Sequence, residues 1–263
     1  MPFNIIVCIK QVPDVKTVRF DPKTGTLIRD GVGAVINPVD LNALEAGLGL
    51  KDAVGGEITA VSMGPPQAKE ALMEAMAMGV DKGVLLSDRA FAGSDTLATT
   101  YILAKAIERL GAFDIVLCGK QSLDGDTAQV GPGLAARLGI PSVAYVEEMR
   151  LVEGGMFRLR RETDLGCDIV EIEPPFLATV LPSINKPRLP SLKGKIRAKK
   201  TGVIVWDADD IQVDPEKIGL NGSPTRVLST YVKGFDAKGE MLSGTAEEQA
   251  DALVKRLKDA NLL

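Results

Sequence analysis

The amino-acid sequence predicts an α/β protein: a doubly wound, mostly parallel sheet with a short antiparallel extension and a C-terminal arm. Two observations carry this. Over the first 140 residues, short continuous apolar runs alternate with amphipathic segments, the pattern of strands buried on both faces and joined by crossover helices. After Pro141 the runs shorten and alternate residue by residue, as antiparallel strands do.

Residues 5–9, 58–62, 83–86 and 114–118 are the apolar runs and read as strands. Between them Leu41, Leu44 and Leu48 share a helical face at i, i+3, i+7. Leu72, Met76 and Gly79 fall at i, i+4, i+7, as do Leu103, Ile107 and Leu110, while Val130, Leu134 and Leu138 fall at i, i+4, i+8. Strands and helices in this alternation close by right-handed crossovers into one sheet. Residues 156–160 and 168–173 are the expected antiparallel strands. Residues 186–200 hold seven Lys or Arg, with Pro187 and Pro190 opposing helix. A polar, Gly-rich stretch over 207–244 leads to a closing helix near 245–262. The expected division is a first domain over residues 1–205, with a docking loop near 183–200, and an arm over 206–263 that packs on another subunit.

Composition narrows the function. The 263 residues allow one large or two modest domains with a substantial core. Lys plus Arg number 31 against 35 Asp plus Glu, a net charge of −4 that argues against a nucleic-acid partner. No apolar run approaches the roughly 20 residues that span a bilayer, so no membrane partner is expected. The N-terminus runs straight into a strand without a signal layout, so a cytoplasmic location is expected. Histidine is absent, which removes Ser-His-Asp and Cys-His catalysis and His-ligated zinc. Cys8, Cys118 and Cys167 form no C-x-x-C pair and read as small buried apolar residues, so neither a disulfide framework nor a metal site is expected. Aromatics are 4% of the chain, so a planar ligand must be held mainly by backbone, aliphatic and polar groups.

In an open parallel sheet, ligands bind beyond the carboxyl ends of the strands, where loops enter helix N-termini. The richest such loop is Gly119, Lys120, Gln121, Ser122, Leu123, Asp124, Gly125, Asp126, Thr127, Ala128, Gln129 and Val130. It leaves a buried strand and is expected to enter a helix near Asp126 or Thr127. Gly119 and Gly125 let backbone approach a ligand closely, and the helix start favours a phosphate. Thr127 and Gln129 add a hydroxyl and an amide. Asp124 and Asp126 would repel phosphate, so they suit ribose hydroxyls or capping. The alternative is a plain capped turn.

A second loop offers Ser94 as the expected N-cap, with Asp95, Thr96 and Thr99 around the same helix start. It reads as an ordinary cap or as a second anion site that, with the first, could hold the two ends of a dinucleotide. Asn37 before Pro38, Val39 and Asp40 places an N-cap ahead of a first-turn proline, which capping alone explains. Met63 opens a fourth loop, Met63-Gly64-Pro65-Pro66. The run from Gly131 to Ala136 fits G-x-G-x-x-A but lies too far past its strand to be a dinucleotide fingerprint.

Ile6-Val7-Cys8-Ile9-Lys10, Asn37-Pro38-Val39-Asp40, Ala60-Val61-Ser62-Met63-Gly64-Pro65 and Gly119-Lys120-Gln121 through Asp126 together resemble the beta subunit of electron-transfer flavoprotein. The likeness covers about residues 1–200 and beyond 205 rests on length and a terminal helix. It implies an adenine-nucleotide-binding, Rossmann-like fold paired with an alpha subunit that holds a redox-active FAD. By position, the nucleotide site on this chain comprises Cys8, Asn37 to Asp40, Met63 and residues 119–130. The resemblance also implies that a partner dehydrogenase, acting on acyl-CoA or a hydroxy acid, docks near Asn185-Lys186-Pro187-Arg188, with Ile184 as the apolar anchor. A solvated basic loop is the plainer reading of that segment.

Residues 87–99 match the flavin-bifurcating members almost throughout, so the resemblance implies FAD here, with Ser94, Asp95, Thr96 and Thr99 in the site. The implied activity is an electron carrier that oxidises NADH only in complex with its alpha subunit. Electrons from NADH are split between ferredoxin and the partner dehydrogenase, or run in reverse. Arg89 and Lys10 are candidates for stabilising reduced flavin. Two other readings stand beside this one: a structural AMP with relay through the alpha-subunit FAD alone, and a stand-alone nucleotide-binding or hydrolysing protein.

Overall fold

A strand covered on both faces needs an apolar side chain at nearly every position, and the central strands have one. The computed structural model describes residues 2–14, 33–226 and 239–263, with 19–20 and 27–28 as backbone. Residues 227–238 of the expected arm lie outside the described residues. Contacts divide the chain into Met1–Arg226 and Val227–Leu263.

In chain order the first unit holds β1 (Phe3–Cys8), β2 (Gln11–Pro13), β3 (Arg19–Phe20), β4 (Leu27–Ile28), β5 (Ala34–Ile36) and α1 (Pro38–Val54). Then come β6 (Gly56–Met63), α2 (Lys69–Met78), β7 (Lys82–Leu86), α3 (Thr96–Leu110), β8 (Ile115–Gly119) and α4 (Val130–Leu138). The unit continues with β9 (Ser142–Leu151), β10 (Phe157–Thr163), β11 (Gly166–Ile172), β12 (Phe176–Val180), α5 (Leu192–Thr201) and β13 (Ile204–Trp206). The second unit holds α6 (Ala246–Asp259), which starts with a capping box between Thr245 and Glu248 and buries none of its residues.

Nine strands form one sheet in the order β11-β10-β9-β12-β8-β1-β6-β7-β13. Neighbours from β9 through β13 run parallel, and β10 and β11 supply the antiparallel extension. From β1 the chain steps outward to β6 and β7, then crosses to β8 on the other side, so strand order reverses between β1 and β8. Apolar faces of α1, α2 and α5 pack on one side of the sheet with Ile5, Val7 and Ile58, and those of α3 and α4 pack on the other with Ile6, Val61 and Val116. Phe157 joins the extension to the rest, its ring 5.3 Å from Phe3 and 5.2 Å from Phe176 in tilted, edge-to-face geometry.

Three expectations need correction. The basic segment forms helix α5, because both prolines precede it and Ser191 caps it by accepting from the Gly194 N–H at 2.9 Å. The helix after β8 begins at Val130, not near Asp126 or Thr127, because Asp126 and Ala128 hold φ of 52° and 53°, left-handed values that a right-handed helix cannot contain. Cys167 is exposed on the edge strand β11, its thiol donating to Glu147 at 3.3 Å, whereas Cys8 and Cys118 are buried as expected. In denaturant unfolding, Phe157→Ala should cost about 4 kcal/mol, because the ring is fully enclosed by two others.

Candidate functional site

The carboxyl ends of β1 and β8 lie side by side at the reversal of strand order, with Cys8 paired to Cys118. This is the crevice where doubly wound sheets take ligands. Asn37 stands at the N-cap of α1 and is wholly buried, with Pro38 at the first helical position. Its side chain makes no capping bond. Instead Nδ2 donates to the Gln121 carbonyl at 2.9 Å and Oδ1 accepts from the Leu123 N–H at 3.2 Å. The capping expectation is thus corrected: a buried amide must satisfy both its ends, and the 119–130 loop offers an acceptor and a donor together.

Asp40 lies in the first turn of the same helix, beside Val39, with Oδ2 accepting from the Lys10 N–H at 2.8 Å. Burial pushes its carboxyl up to about 7, against the lowering effects of the Asn37 side chain, the Lys10 and Gly119 N–H groups and the Lys10 charge. Gly119 faces it so closely that a Cβ would stand 2.3 Å from Asp40 Oδ1 and 2.9 Å from Asp40 N.

Lys10 Nζ reaches across to both oxygens of Asp124, at 2.6 and 2.7 Å. Burial raises the Asp124 pKa, but the Lys10 and Ser122 bonds outweigh it and hold the carboxylate below its ordinary value. Within the loop, the Asp126 N–H donates to the Ser122 carbonyl at 2.9 Å, and its carboxylate accepts from the Gln121 amide. No side chain caps α4. Its first-turn N–H groups therefore lack a side-chain acceptor, and with Thr127 beside them they fit the phosphate of an adenine nucleotide. Cys8, Cys118 and the half-buried Met63 belong to the core on the α3–α4 side. The Cys8 thiol beside it, together with burial, pushes the Cys118 thiol well up.

Across the crevice, α3 is capped by Asp95 and not by Ser94. Asp95 Oδ1 accepts from the N–H groups of Leu97 and Ala98 at 2.9 and 3.1 Å, and Oδ2 accepts from the Thr225 N–H and hydroxyl at 3.1 and 2.8 Å. Burial alone would raise this carboxyl, and the four donors reverse that. Ser94 Oγ is engaged elsewhere, donating to the Phe91 carbonyl at 2.8 Å and accepting from the Gly219 N–H at 3.0 Å. Thr96 Oγ1 donates to Gln129 Oε1 at 3.1 Å, so the 94–99 and 119–130 loops touch, with Thr99 half-buried behind.

The segment 182–188, where docking is expected, is tied to α1. Asn42 and Asn185 exchange amide bonds at 2.9 Å, each donating to the other's backbone carbonyl. Arg188 forks onto Glu45 at 2.8 and 2.9 Å and reaches Asp52 at 2.8 Å, which raises its pKa, with the Glu45 bond the largest cause. Lys186 is exposed and Pro187 half-buried. Ile184 packs against the chain's own core. The apolar side chains open to solvent here are Leu189 at 87% and Leu192 at 76%, followed by Ile196. Leu192 and Ile196, four residues apart on α5, share one face of that helix, and Leu189 precedes its cap.

Crevice, clamped loop and uncapped helix belong to an α/β protein of the doubly wound class, with its candidate site at the reversal of strand order. The family model described as "Electron transfer flavoprotein domain" matches residues 24–211. The chain is 48% identical over 260 residues to the electron transfer flavoprotein subunit beta of Clostridium acetobutylicum, covering 99% of this chain and 100% of that protein. It is 45% identical over 262 residues to the caffeyl-CoA reductase-Etf complex subunit CarD of Acetobacterium woodii, covering 99% and 100%. Protein FixA of Azorhizobium caulinodans is 45% identical over 262 residues, covering 97% and 93%. The chain belongs to the electron transfer flavoprotein family, as a beta subunit with an electron-transfer role whose partner is an alpha subunit. Among the described residues, no helix is long and apolar enough to cross a membrane.

Two outcomes follow from this geometry. Asn37→Ala leaves a loop carbonyl and N–H unpaired, and calorimetric unfolding should register a loss of about 2 kcal/mol. Asp40 has a carboxyl pKa raised from 3.8 to about 7, so the native state holds its proton more tightly than the unfolded chain. That contribution erodes stability as pH rises through this window and is fully felt above it. Asp40→Asn should therefore gain stability relative to the parent as pH increases from 4 to 8, approaching a gain on the order of 4 kcal/mol. A flat difference across that range would refute the assignment.

Proposed function

We propose that this chain binds FAD and, with its alpha subunit, takes electrons from NADH in the cytoplasm. The electrons are divided between ferredoxin and a partner dehydrogenase, or run in the reverse, confurcating direction. The carrying observation is the Thr96–Gln129 bond, which sets the 94–99 loop beside the uncapped start of α4 and so favours a ligand with two phosphates over one. The near-complete match of residues 87–99 to bifurcating members supports the same reading. CarD is named for a caffeyl-CoA reductase complex, which favours a CoA-ester partner here over a hydroxy-acid one.

Bound flavin supplies hydride acceptance and one-electron release. The chain's task is to hold and shield it. In this reading the α4 N–H groups and the hydroxyls of Thr96 and Thr127 take the phosphates, while Cys8, Met63 and the Asn37–Asp40 turn wall the adenosine. Lys10, already paired with Asp124, is a weaker candidate for stabilising reduced flavin than the exposed Arg89. Leu189 and Leu192 offer the apolar surface for the dehydrogenase, with Ile184, the anchor that the resemblance implies, packed against the protein's own core nearby in the chain. The arm and α6, which buries none of its own residues, pack on the alpha subunit.

One observation favours a second reading, a structural AMP with relay through the alpha-subunit FAD only. The Asp95 carboxylate lies across the α3 start and would repel a second phosphate. Ligand release from the purified heterodimer decides between them. Two FAD and no AMP are expected, with NADH-dependent ferredoxin reduction once the dehydrogenase and its substrate are added. One FAD and one AMP would leave a simple relay.

A further inference from the structure

Tyr145 is the residue in β9 that no sequence signal singles out, and its backbone is unusual. Its φ is 62°, a left-handed value that crowds Cβ against the carbonyl and that a bulky side chain adopts only under constraint. The constraint is a bulge: β12 pairs Ala178 with Val143 and then Val180 with Val146, leaving Tyr145 as an extra residue. Buried Thr179 holds the bulge, its Oγ1 accepting from the Tyr145 N–H at 3.2 Å. The same threonine presses its methyl on Gly131 in the first turn of α4, where a Cβ would come within 2.3 Å.

The strained conformation sets the Tyr145 ring 5.0 Å from the Lys120 ammonium, and the backbone N–H of Lys120 donates to the Val180 carbonyl at 3.0 Å. Charge around the crevice gives this contact its meaning. Lys10 is neutralised by Asp124, and Asp40 and Asp126 are acidic. Lys120 makes no ion pair among the described residues. An aromatic face orients an ammonium without cancelling its charge, whereas a carboxylate would do both.

Resting on the nucleotide reading above, we infer that Tyr145 is a positioning residue of the crevice: its ring, held by the β9 bulge, places the Lys120 ammonium beside the α4 start to meet the phosphate of the adenylate common to AMP and FAD. The test is calorimetric binding of AMP and of adenosine to the heterodimer depleted of its beta-subunit nucleotide. Lys120→Met should weaken AMP about tenfold and adenosine less than about twofold, and Tyr145→Leu should weaken AMP about fivefold with the same selectivity. Tyr145→Phe keeps the ring face and should match the parent. The double variant K120M/Y145L should bind AMP no more weakly than K120M alone. Tyr145→Gly relieves the backbone strain, so it should melt no lower than Y145L while losing the same AMP affinity. Equal loss of AMP and adenosine in Y145L, failure of Y145F to match the parent, or additive effects in the double variant would each reduce Tyr145 to a structural role. If the parent heterodimer takes up neither ligand, the nucleotide reading itself fails.

Discussion

The near-contact of Gly119 with the first turn of α1 is the constraint on which the rest of the site depends. With any side chain there, the helix would be driven off the end of β8 by its own Asp40 and Val39 backbone. With glycine, α1 settles deeply enough to bury Asp40 and to bring the Asn37 amide onto the next loop. That loop, held at Gln121 and Leu123, then passes through two left-handed residues before a helix can start. The late, uncapped start of α4 is thus the far end of a chain of contacts that begins with a missing Cβ. Burying a polar pair such as Asn37 and Asp40 is costly unless partners are arranged beforehand. The backbone of the opposing loops supplies those partners.

The same helix serves the other side of the molecule. α1 has 17 residues, about 25 Å of rigid rod, and its successive turns carry Asn37 and Asp40 at the crevice and then Asn42, Glu45 and Asp52 under the 182–188 segment. The 182–188 segment is therefore not a free loop. It is fastened by a reciprocal amide pair and by a forked arginine, a geometry that lysine could not reproduce.

What the sequence made legible follows from how local each determinant is. The four central strands announce themselves because burial on both faces demands unbroken apolar runs, and the crevice loops follow from strand-to-helix order. The choice between Ser94 and Asp95 as cap was not legible, since both are good N-caps and a hydrogen bond from Gly219, far along the chain, decides it. The Asn37 clamp and the Tyr145 bulge are likewise invisible locally, because their partners come from other strands and loops. Helix α5 was hidden by two prolines that turn out to precede it. Cys167 looked like its buried namesakes because nothing in an alternating strand reveals that it will end up at an edge.

The basic run over residues 186–200 carries seven positive charges and no negative one, so the remainder of the chain carries a net −11. Two of those arginines are occupied, one on Glu45 and Asp52 and the other on the Met76 and Val80 carbonyls. The five lysines project a field that the rest of the molecule opposes. An acidic surface approaching from any direction experiences a torque before it experiences a contact, and is turned toward α5 over distances of a Debye length or so, about 8 Å at physiological salt. Any encounter on this face is thereby an ionic-strength-dependent event, even though its most exposed apolar side chains, Leu189 and Leu192, carry no charge at all.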